Sequence, residues 1–398
     1  MIKNNKIIKV FKIPWIWYNK YIMEKIIITT SFGMESLIKR QLEEENYKKF
    51  EVLNGKIILN GNLDDIGYLN LNLREADRIF LEIESFTAKT FEELFENIKK
   101  IDWFDYLKID DNFIVNARTY KSKLFSIPSI QSISEKAIID SLKRKYKILT
   151  FKKSSSRVQI EIMIEKDVVS VCLDTSGDGL HKRGYRQGSV KAPIRENLAA
   201  GLVDLSFYKD DRFLFDGFCG SGTILIEAAR KERNIAPGLD RDFDFTSFKF
   251  YDKKRFEKIK KEAYEKIDYR KKINILGSDI SKKAIELAKN NALNAGVYED
   301  ITFLNKDFKE INLKDNFGIF ISNPPYGERL SRFDKAKISK MINEKFKNLN
   351  TWSMFIISSD ENIDKNIKRK LSKKRKLYNG GQKVDLYQFF GKKPKKDR

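Results

Sequence analysis

A glycine-rich turn between an apolar strand and a helix is the sharpest chemical feature of the sequence. Its residues are Asp216-Gly217-Phe218-Cys219-Gly220-Ser221-Gly222-Thr223. Glycines allow a backbone to approach a ligand closely, and the N-terminus of a helix supplies N–H donors. No Gly-Lys-Ser/Thr follows, which excludes a P-loop, and Leu225 stands where a complete dinucleotide fingerprint has glycine. This glycine-rich turn (residues 216–223) therefore predicts a ligand-binding loop, with a simple tight connection as the alternative.

Two acidic residues end the next two predicted strands. Asp279 ends the strand over 273–279, and Asp307 ends a third, short strand. A carboxylate at the first place can accept both hydroxyls of a ribose, and one at the second can accept from an adenine amino group. The alternatives are that Asp279 or Ser281 only caps the following helix, and that Asp307 is an ordinary loop carboxylate.

A proline-rich turn follows the predicted strand over 317–322. It reads Asn323-Pro324-Pro325-Tyr326. Proline cannot continue a central strand, so the chain leaves the sheet at its carboxyl edge, where open α/β sheets bind ligands. The side-chain oxygen of Asn323 and the carbonyl of Pro324 can both accept from one planar NH₂ group, and Tyr326 offers a face for stacking a base. The turn favours chemistry on an exocyclic amine over a purely structural turn.

Composition sets the class of protein and the partners to expect. The 398 residues suggest two to three domains at about 150 residues each. A net charge of +22 predicts attraction to polyanions, although a composition rich in Lys, Ile and Asn is an alternative explanation. With Cys172, Cys219 and His181 as the only cysteines and histidine, we expect no disulfide scaffold, metal site or histidine triad, and a reducing, cytoplasmic setting.

The N-terminal half predicts two small α+β units. The first runs to about residue 80 with strand, helix and strand in turn, and the second continues to 173. The second unit contains a long helix over 130–146 and a hairpin over 158–173 that turns at Lys166-Asp167. Residues 174–186 are rich in Gly and basic side chains and are interpreted as a linker. Residues 1–22 fit neither a signal peptide nor a membrane span, and are predicted to be a disordered extension.

The C-terminal half predicts a different architecture. From residue 213 onward strands and helices alternate, which is typical of a parallel sheet with helices on both faces. The last two strands, 377–379 and 384–390, flank Gly380-Gly381 and predict a terminal antiparallel hairpin. The fold class is therefore α/β with a Rossmann-like sheet, preceded by an α+β module.

Taken in order, the glycine-rich turn, Asp279, Asp307 and Asn323–Tyr326 resemble the motifs of class I S-adenosylmethionine-dependent methyltransferases that act on exocyclic amines. This resemblance is narrowed by upstream residues: Lys121-Ser122-Lys123-Leu124, Ser126, Pro128, Gln131, the stretch His181 to Arg186 and the stretch Pro193 to Ala200. They are similar to the THUMP-domain methyltransferases that make N2-methylguanosine in large-subunit (23S) ribosomal RNA. The similarity runs from about Met23 to Phe390.

The resemblance implies a domain order and a cofactor. We expect a ferredoxin-like unit over 23–80, a THUMP RNA-binding domain over 80–174, a linker over 175–192, a methyltransferase domain over 193–391 and a basic tail over 392–398. The implied cofactor is S-adenosyl-L-methionine, with no metal and no membrane partner. The implied partner is large-subunit ribosomal RNA or its precursor particle. The stretch 231–272 is an insertion that the family also has.

The resemblance also implies roles for individual residues. Those expected to bind the cofactor are Asp216, Phe218, Gly220, Ser221, Gly222, Thr223, Asp279, Ile280, Asp307, Pro193 and Asn197. Those expected to hold the target base are Asn323, Pro324, Pro325 and Tyr326. Basic residues expected to contact RNA are Lys121, Lys123, Lys136, Lys182, Arg183 and Arg186, and the run 373–376 is a further hypothesis. Gly217 stands where the family usually has Pro, so we expect a looser turn.

Other substrates remain open at this stage. A guanine in transfer RNA, adenine N6 in DNA and a glutamine in a protein all present a planar amine or amide to an Asn-Pro-Pro-Tyr turn. The basic N-terminal half favours RNA over protein. A non-catalytic RNA-binding assembly factor is the alternative from a different class, but it would not need all four cofactor positions.

Overall fold

The computed structural model describes residues 23–147, 157–188, 193–325 and 332–392, which form two seven-stranded sheets. The predicted extension 1–22, Tyr326 and the tail residues 393–398 lie outside the described residues. Within the described ranges, each helix is too short or too polar to cross a lipid bilayer.

The N-terminal sheet is built from seven strands and five covering helices. The strands are β1 Glu24–Thr30, β2 Phe50–Leu53, β3 Lys56–Gly61, β4 Ala76–Thr87, β5 Asn112–Tyr120, β6 Arg157–Glu165 and β7 Val168–Asp174. The helices are α1 Glu35–Glu44, α2 Leu63–Asn72, α3 Phe91–Lys100, α4 Trp103–Tyr106 and α5 Ile127–Tyr146. The strand order is β2-β3-β1-β4-β7-β6-β5.

The long strand β4 joins the two predicted N-terminal units into one sheet. Its first half pairs antiparallel with β1, and its second half pairs antiparallel with β7, with a register shift between Glu82 and Glu84. The two predicted units therefore share one sheet. Local alternation of apolar residues shows where a strand lies but not how many partners it has.

The predicted hairpin of the second unit is confirmed. β6 and β7 pair antiparallel, and the turn residues Lys166 and Asp167 have φ of 52° and 66°. Two consecutive positive φ values are those of a two-residue turn whose twist matches the flanking strands.

The C-terminal sheet has five parallel strands and an antiparallel hairpin, which confirms the predicted fold class. Its strands are β8 Leu214–Asp216, β9 Ile275–Asp279, β10 Ile301–Asn305, β11 Ile319–Ser322, β12 Ser353–Ser358, β13 Lys373–Asn379 and β14 Gln382–Phe389. Its helices are α6 Glu196–Leu205, α7 Thr223–Glu232, α8 Lys253–Glu265, α9 Lys282–Asn294 and α10 Arg332–Phe346. Short 3₁₀ helices cover Asp244–Ser247, Tyr298–Asp300, Phe308–Glu310 and Ile363–Asn366. The strand order is β10-β9-β8-β11-β12-β14-β13.

The segment interpreted as a linker is packed rather than loose. Thr175 and Ser176 are buried, and the guanidinium of Arg241 donates to four backbone carbonyls between Ser176 and Lys182. Arg241 belongs to the insertion over 231–272, so that insertion holds the connection in place. Glycines and basic residues in a short segment indicate a turn-rich path, but not whether the path is solvated.

Candidate functional site

The glycine-rich turn connects β8 to α7 and is shaped by two residues with positive φ. Gly220 has φ of 52° and Gly222 has φ of 80°, which only glycine adopts readily. A Cβ on Gly222 would also lie 3.1 Å from Ala288 Cβ and 3.2 Å from Phe303 Cζ. The turn thus needs glycine for both conformation and space, and it leads directly into the N-terminus of α7.

Asp279 is tied to this turn by hydrogen bonds. The Gly220 amide donates to Asp279 Oδ2 at 3.0 Å, and the Ser281 amide donates to Asp279 Oδ1 at 2.9 Å. The cap of α9 is Ser281, whose Oγ accepts from the Ala284 amide at 3.3 Å. Helix capping therefore does not account for the Asp279 carboxylate. The neighbouring Ile280 is 75% exposed, which leaves an apolar surface beside the carboxylate.

Asp216 connects the glycine-rich turn to the end of β11. The side chain is only 2% exposed, and its Oδ1 accepts from the Phe218 amide at 3.0 Å and from Ser322 Oγ at 2.6 Å. Burial raises the pKa of Asp216 to about 7, and the nearby charge of Asp279 adds to the rise. A carboxyl group with a pKa near neutrality thus lies between the glycine-rich turn and the end of β11, where the Asn-Pro-Pro-Tyr turn begins.

The raised pKa of Asp216 predicts a pH-dependent stability. The folded protein binds this proton up to about pH 7, whereas the unfolded chain releases it near about pH 4. The free energy of unfolding therefore falls as pH rises through that window, on the order of a few kcal/mol. Urea unfolding at several pH values should show this loss in the wild type and not in Asp216→Asn. Parallel pH profiles for the two proteins would contradict the assignment.

The Asn-Pro-Pro-Tyr turn leaves the sheet at the carboxyl edge of β11, as predicted. Asn323 Oδ1 is buried and, among the described residues, has no hydrogen-bond partner. A buried acceptor without a donor costs about 1–3 kcal/mol, so such an atom fits a site that a ligand N–H completes. Pro324 is buried and Pro325 is exposed.

Asp307 is half-buried at the end of β10. Its Oδ1 accepts from the Lys309 amide at 2.9 Å and caps the 3₁₀ helix Phe308–Glu310. The structural role that we considered for it is thus present. Its role toward a ligand stays a prediction.

The turn at Gly217 is tightly packed against Phe308 and is not the looser turn that we expected. A Cβ on Gly217 would overlap Phe308 Cδ2, because the ring fills the space where a larger residue would stand. The Phe308 ring also stacks on Phe218, with centroids 5.0 Å apart and planes at 23°. The Phe308 ring therefore packs against Gly217 and Phe218 of the glycine-rich turn.

Gly217→Ala is expected to destabilise the protein by about 1–3 kcal/mol through overpacking against Phe308. In a Phe308→Ala background the same change should cost clearly less, because the Phe308 ring is gone and only Phe215 Cζ, 3.0 Å from the added Cβ, remains close. Denaturant unfolding of the four proteins of this double-mutant cycle measures the coupling. Gly381→Ala is the matched control, since no atom lies within 4 Å of a Cβ there. Equal costs in both backgrounds would refute the packing argument.

Pro193 and Asn197 lie at a junction of three parts of the chain. Asn197 Nδ2 donates to Asp77 Oδ1 of β4 at 2.7 Å, and the Pro193 carbonyl accepts from Asn379 Nδ2 of β13 at 3.3 Å. These bonds fix the start of α6 between the N-terminal sheet and the terminal hairpin. Their predicted contribution to a cofactor pocket stays a prediction.

Lys121 and Lys123 lie on a fixed, exposed loop between β5 and α5. The Lys123 amide donates to Asp167 Oδ1 at 2.7 Å, and the Asp167 amide donates to Ser122 Oγ at 3.1 Å. The same loop exposes two aromatic side chains that we did not predict, Tyr120 (56% exposed) and Phe125 (78%). We call residues 120–125 the aromatic–lysine loop. Aromatic residues interleaved with lysines were the signal that could have identified it.

Lys136 and Lys182 are also exposed. Lys136 Nζ lies 5.8 Å from the centre of the Phe95 ring, and Lys182 Nζ lies 3.3 Å from Asp178. Both side chains are reachable from solvent, and their predicted RNA contacts stay predictions.

Arg183 and Arg186 both form contacts within the protein. Arg183 is buried, donates to the carbonyls of Leu180 and Arg74, and lies 3.9 Å from Glu227. Arg186 donates to the Ile194 carbonyl and to Thr223 Oγ1, both at 2.9 Å, and its Nε lies 3.0 Å from Glu196. The guanidinium of Arg183 is enclosed by the protein, so the prediction that it contacts RNA is wrong. Arg186 is half-buried, and its predicted RNA contact stays a prediction.

The basic run over 373–376 forms most of the edge strand β13. Lys374 lies 3.2 Å from Asp385, and Arg375 donates to the Gly33 carbonyl at 2.8 Å. These two side chains are engaged within the protein. The apolar pattern predicts a strand that starts at residue 377, four residues later than β13 starts, because charged residues are typical of an edge strand but weaken its apolar pattern.

Three family models match successive parts of the chain. The RlmL ferredoxin-like domain matches residues 25–80, the THUMP domain matches 88–174, and the RMKL-like methyltransferase domain matches 183–388. Together they include both sheets described above.

Two curated proteins resemble the chain over most of its length. YpsC, a proposed RNA methyltransferase of Bacillus subtilis (strain 168), is 40% identical over 92% of this chain and 96% of its own length. The ribosomal RNA large subunit methyltransferase K/L of Buchnera aphidicola is 33% identical over 85% of this chain and 50% of its own length. The chain therefore spans about half the length of the second relative.

A solved structure has the same fold. The protein SMU.472, a methyltransferase candidate crystallised with S-adenosylhomocysteine, is 38% identical with a TM-score of 0.87. The match covers 94% of this chain and the whole of that one.

Proposed function

Because the chain belongs to the RMKL-like family of S-adenosylmethionine-dependent RNA methyltransferases, we propose that it methylates the exocyclic N2 amine of a guanine in large-subunit ribosomal RNA. The observation that supports an amine as the acceptor is Asn323 Oδ1, which is buried and has no hydrogen-bond partner among the described residues. The THUMP domain and the similarity to a large-subunit methyltransferase support the RNA part.

The residues around the glycine-rich turn fit S-adenosylmethionine. The positive φ of Gly220 and Gly222 brings the backbone close to a ligand, and Asp279 and Ile280 offer a carboxylate beside an apolar surface. Asp279 would hold the ribose and Asp307 the adenine, while Asp216 and the turn would hold the methionine part. When bound, the cofactor supplies a methyl group already activated on a sulfonium, so the protein mainly has to orient the acceptor.

Asn323 and Pro324 would orient the acceptor nitrogen. The lone pair of an exocyclic guanine amine is shared with the ring, which makes this nitrogen a poor nucleophile. Accepting its two N–H groups on Asn323 Oδ1 and the Pro324 carbonyl would draw the nitrogen toward tetrahedral geometry and stabilise the positive charge that develops there. As this nitrogen takes the methyl group, one of its two N–H protons would be released to water, and the remaining N–H would stay hydrogen-bonded to one of the two acceptors.

The target base must leave its stack to reach Asn323, which costs a few kcal/mol and least in single strands. Phosphate contacts of the N-terminal sheet would offset this cost. In the aromatic–lysine loop, Lys121 and Lys123 would contact phosphates, while Tyr120 and Phe125 would stack on unpaired bases.

The proposal is tested by incubating the protein with methyl-labelled S-adenosylmethionine and separate acceptors. These are large-subunit ribosomal RNA, transfer RNA, DNA and a protein with an accessible glutamine, and the labelled product is then identified. We expect N2-methylguanosine in the ribosomal RNA. Label in transfer RNA, in N6-methyladenine or in protein would overturn the substrate and leave the fold and cofactor intact. If no acceptor becomes labelled, the proposal that the protein methylates free large-subunit ribosomal RNA is wrong.

Replacing Lys121 and Lys123 together by Ala should weaken RNA binding and reduce its salt dependence. Two lost phosphate contacts lower the slope of log affinity against log salt by about 1.4 for single-stranded RNA. Titration of labelled RNA at several salt concentrations measures this slope. Lys258→Ala/Lys261→Ala on α8 removes the same charge from an exposed helix and serves as the control. An unchanged affinity and slope would remove these lysines from the RNA-binding surface.

A further inference from the structure

We propose that a groove between residues 309–313 and α10 binds a nucleotide of the RNA substrate next to the target base. This inference rests on the proposed function. The groove has a volume of about 660 Å³, within the range of roughly 300–1,000 Å³ typical of sites for small molecules.

The floor of the groove is apolar. Ile311 is buried, and Leu313 and Met341 are half-buried along its length. Such a surface suits the face of a planar base, which has apolar area but needs no particular hydrogen-bond partner to bind there. The floor alone would fit many ligands, so the choice of a nucleotide depends on the rim.

Three exposed lysines lie on the rim, Lys309, Lys337 and Lys340. Among the side chains that the structure describes, which on α10 begin at Ala336, no ion pair joins these lysines to a carboxylate. Glu344 is the acidic residue of the lining, and it is paired with Lys347 at 2.6 Å. Three exposed cations around an apolar floor match a base with phosphates on either side. We call these residues and their floor the lysine groove.

The lysine groove shares a wall with the candidate site. Lys345 Nζ donates to the carbonyls of Lys309 and Ile311 at 2.8 and 2.6 Å, and lies 5.2 Å from the centre of the Phe308 ring. Phe308 in turn packs under Gly217 and Phe218, at the glycine-rich turn. One segment therefore contacts the glycine-rich turn through Phe308 and lines the lysine groove through Lys309 and Ile311.

This shared wall favours RNA over a free nucleotide or an acidic peptide. An RNA chain that places a base at Asn323 must continue past the site with its phosphates, and the lysine groove adjoins the glycine-rich turn through Phe308. α10 follows the Asn-Pro-Pro-Tyr turn in the chain and forms the other wall. The groove would thus contribute to which nucleotide neighbours the target, while the Asn323 site holds the target itself.

The test uses the full chain, in-vitro-transcribed large-subunit ribosomal RNA and two groove variants. Lys337→Ala/Lys340→Ala removes two rim charges, and Asn312→Glu adds a carboxylate at an exposed position of the rim. Lys258→Ala/Lys261→Ala is the charge-matched control. We expect the lysine variant to weaken RNA binding about 10-fold, to lower the salt slope by about 1.4 and to raise KM, with kcat nearly unchanged. Asn312→Glu should weaken binding at least as much.

S-adenosylhomocysteine affinity, measured by calorimetry, should be unchanged in all variants, which shows that the site behind Phe308 is intact. If the wild type is active and the groove variants bind and methylate RNA as the control does, the proposal that the lysine groove binds a nucleotide is wrong. The proposed function would still stand. A wild-type protein that neither binds nor methylates this RNA would overturn the proposed function, and the inference with it.

Discussion

Asn323→Ala is expected to lower the rate of methyl transfer by about 10²- to 10³-fold while S-adenosylmethionine still binds. Removing one preorganised hydrogen-bonding group that stabilises developing charge typically costs this much. Asn323 Oδ1 is buried and unpartnered, so its removal takes nothing from the internal hydrogen bonds of the described residues. The loss should therefore appear in kcat, while the stability of the protein should not fall, because the cost of an unpartnered buried acceptor is removed with it.

Three measurements distinguish a catalytic role for Asn323 from a structural one. Single-turnover methylation gives the rate, calorimetry gives the affinity for S-adenosylhomocysteine, and denaturant unfolding gives the stability. Asn97→Ala, at a half-buried position of α3 where Asn97 Nδ2 donates to the Glu93 carbonyl, is the control for loss of an asparagine. Turnover within a few-fold of the wild type would end the assignment of Asn323 to the acceptor amine.

Asp279→Ala is expected to weaken cofactor binding by roughly 30- to 100-fold. A hydrogen bond to a charged group contributes about 1.5–3 kcal/mol, and this carboxylate has two roles at once. It accepts from the Gly220 amide, which holds the glycine-rich turn, and it stands where a ribose would bind. Both roles disappear in the Ala variant.

The affinity for S-adenosylhomocysteine, measured by calorimetry, tests the Asp279 prediction. Asp279→Asn keeps one acceptor oxygen and should lose less than the Ala variant. Glu286→Ala on α9 is the control, because it removes an exposed carboxylate from the helix that follows Asp279. Binding of the Ala variant at wild-type strength would mean that neither the turn nor a ribose depends on this side chain.

The parts of the site that depend on rare residue types were predictable from the sequence. Positive φ at Gly220 and Gly222, and the exit from the sheet at Pro324, each permit few residues, so the sequence carries a strong signal there. The alternation of strands and helices after residue 213 and the Lys166-Asp167 hairpin were also predictable. Each is determined by residues close together in the chain.

Features that depend on distant partners were not predictable. Arg183 and Arg186 look like any exposed basic residues until Glu227 and Glu196 are placed beside them. The overlap of Phe308 with a side chain at Gly217 joins positions about ninety residues apart. A single sequence shows the type of such residues but not which partner neutralises or covers them.

The sharing of β4 has a consequence for how the N-terminal half folds and unfolds. The ferredoxin-like match ends at residue 80, within β4, and the THUMP match begins at residue 88, just after it. The two halves of β4 pair with β1 and β7. Melting either half exposes backbone groups and apolar surface of the other, so the loss spreads across the junction. We therefore expect the two matched regions to unfold as one cooperative unit, with neither region losing its structure independently of the other.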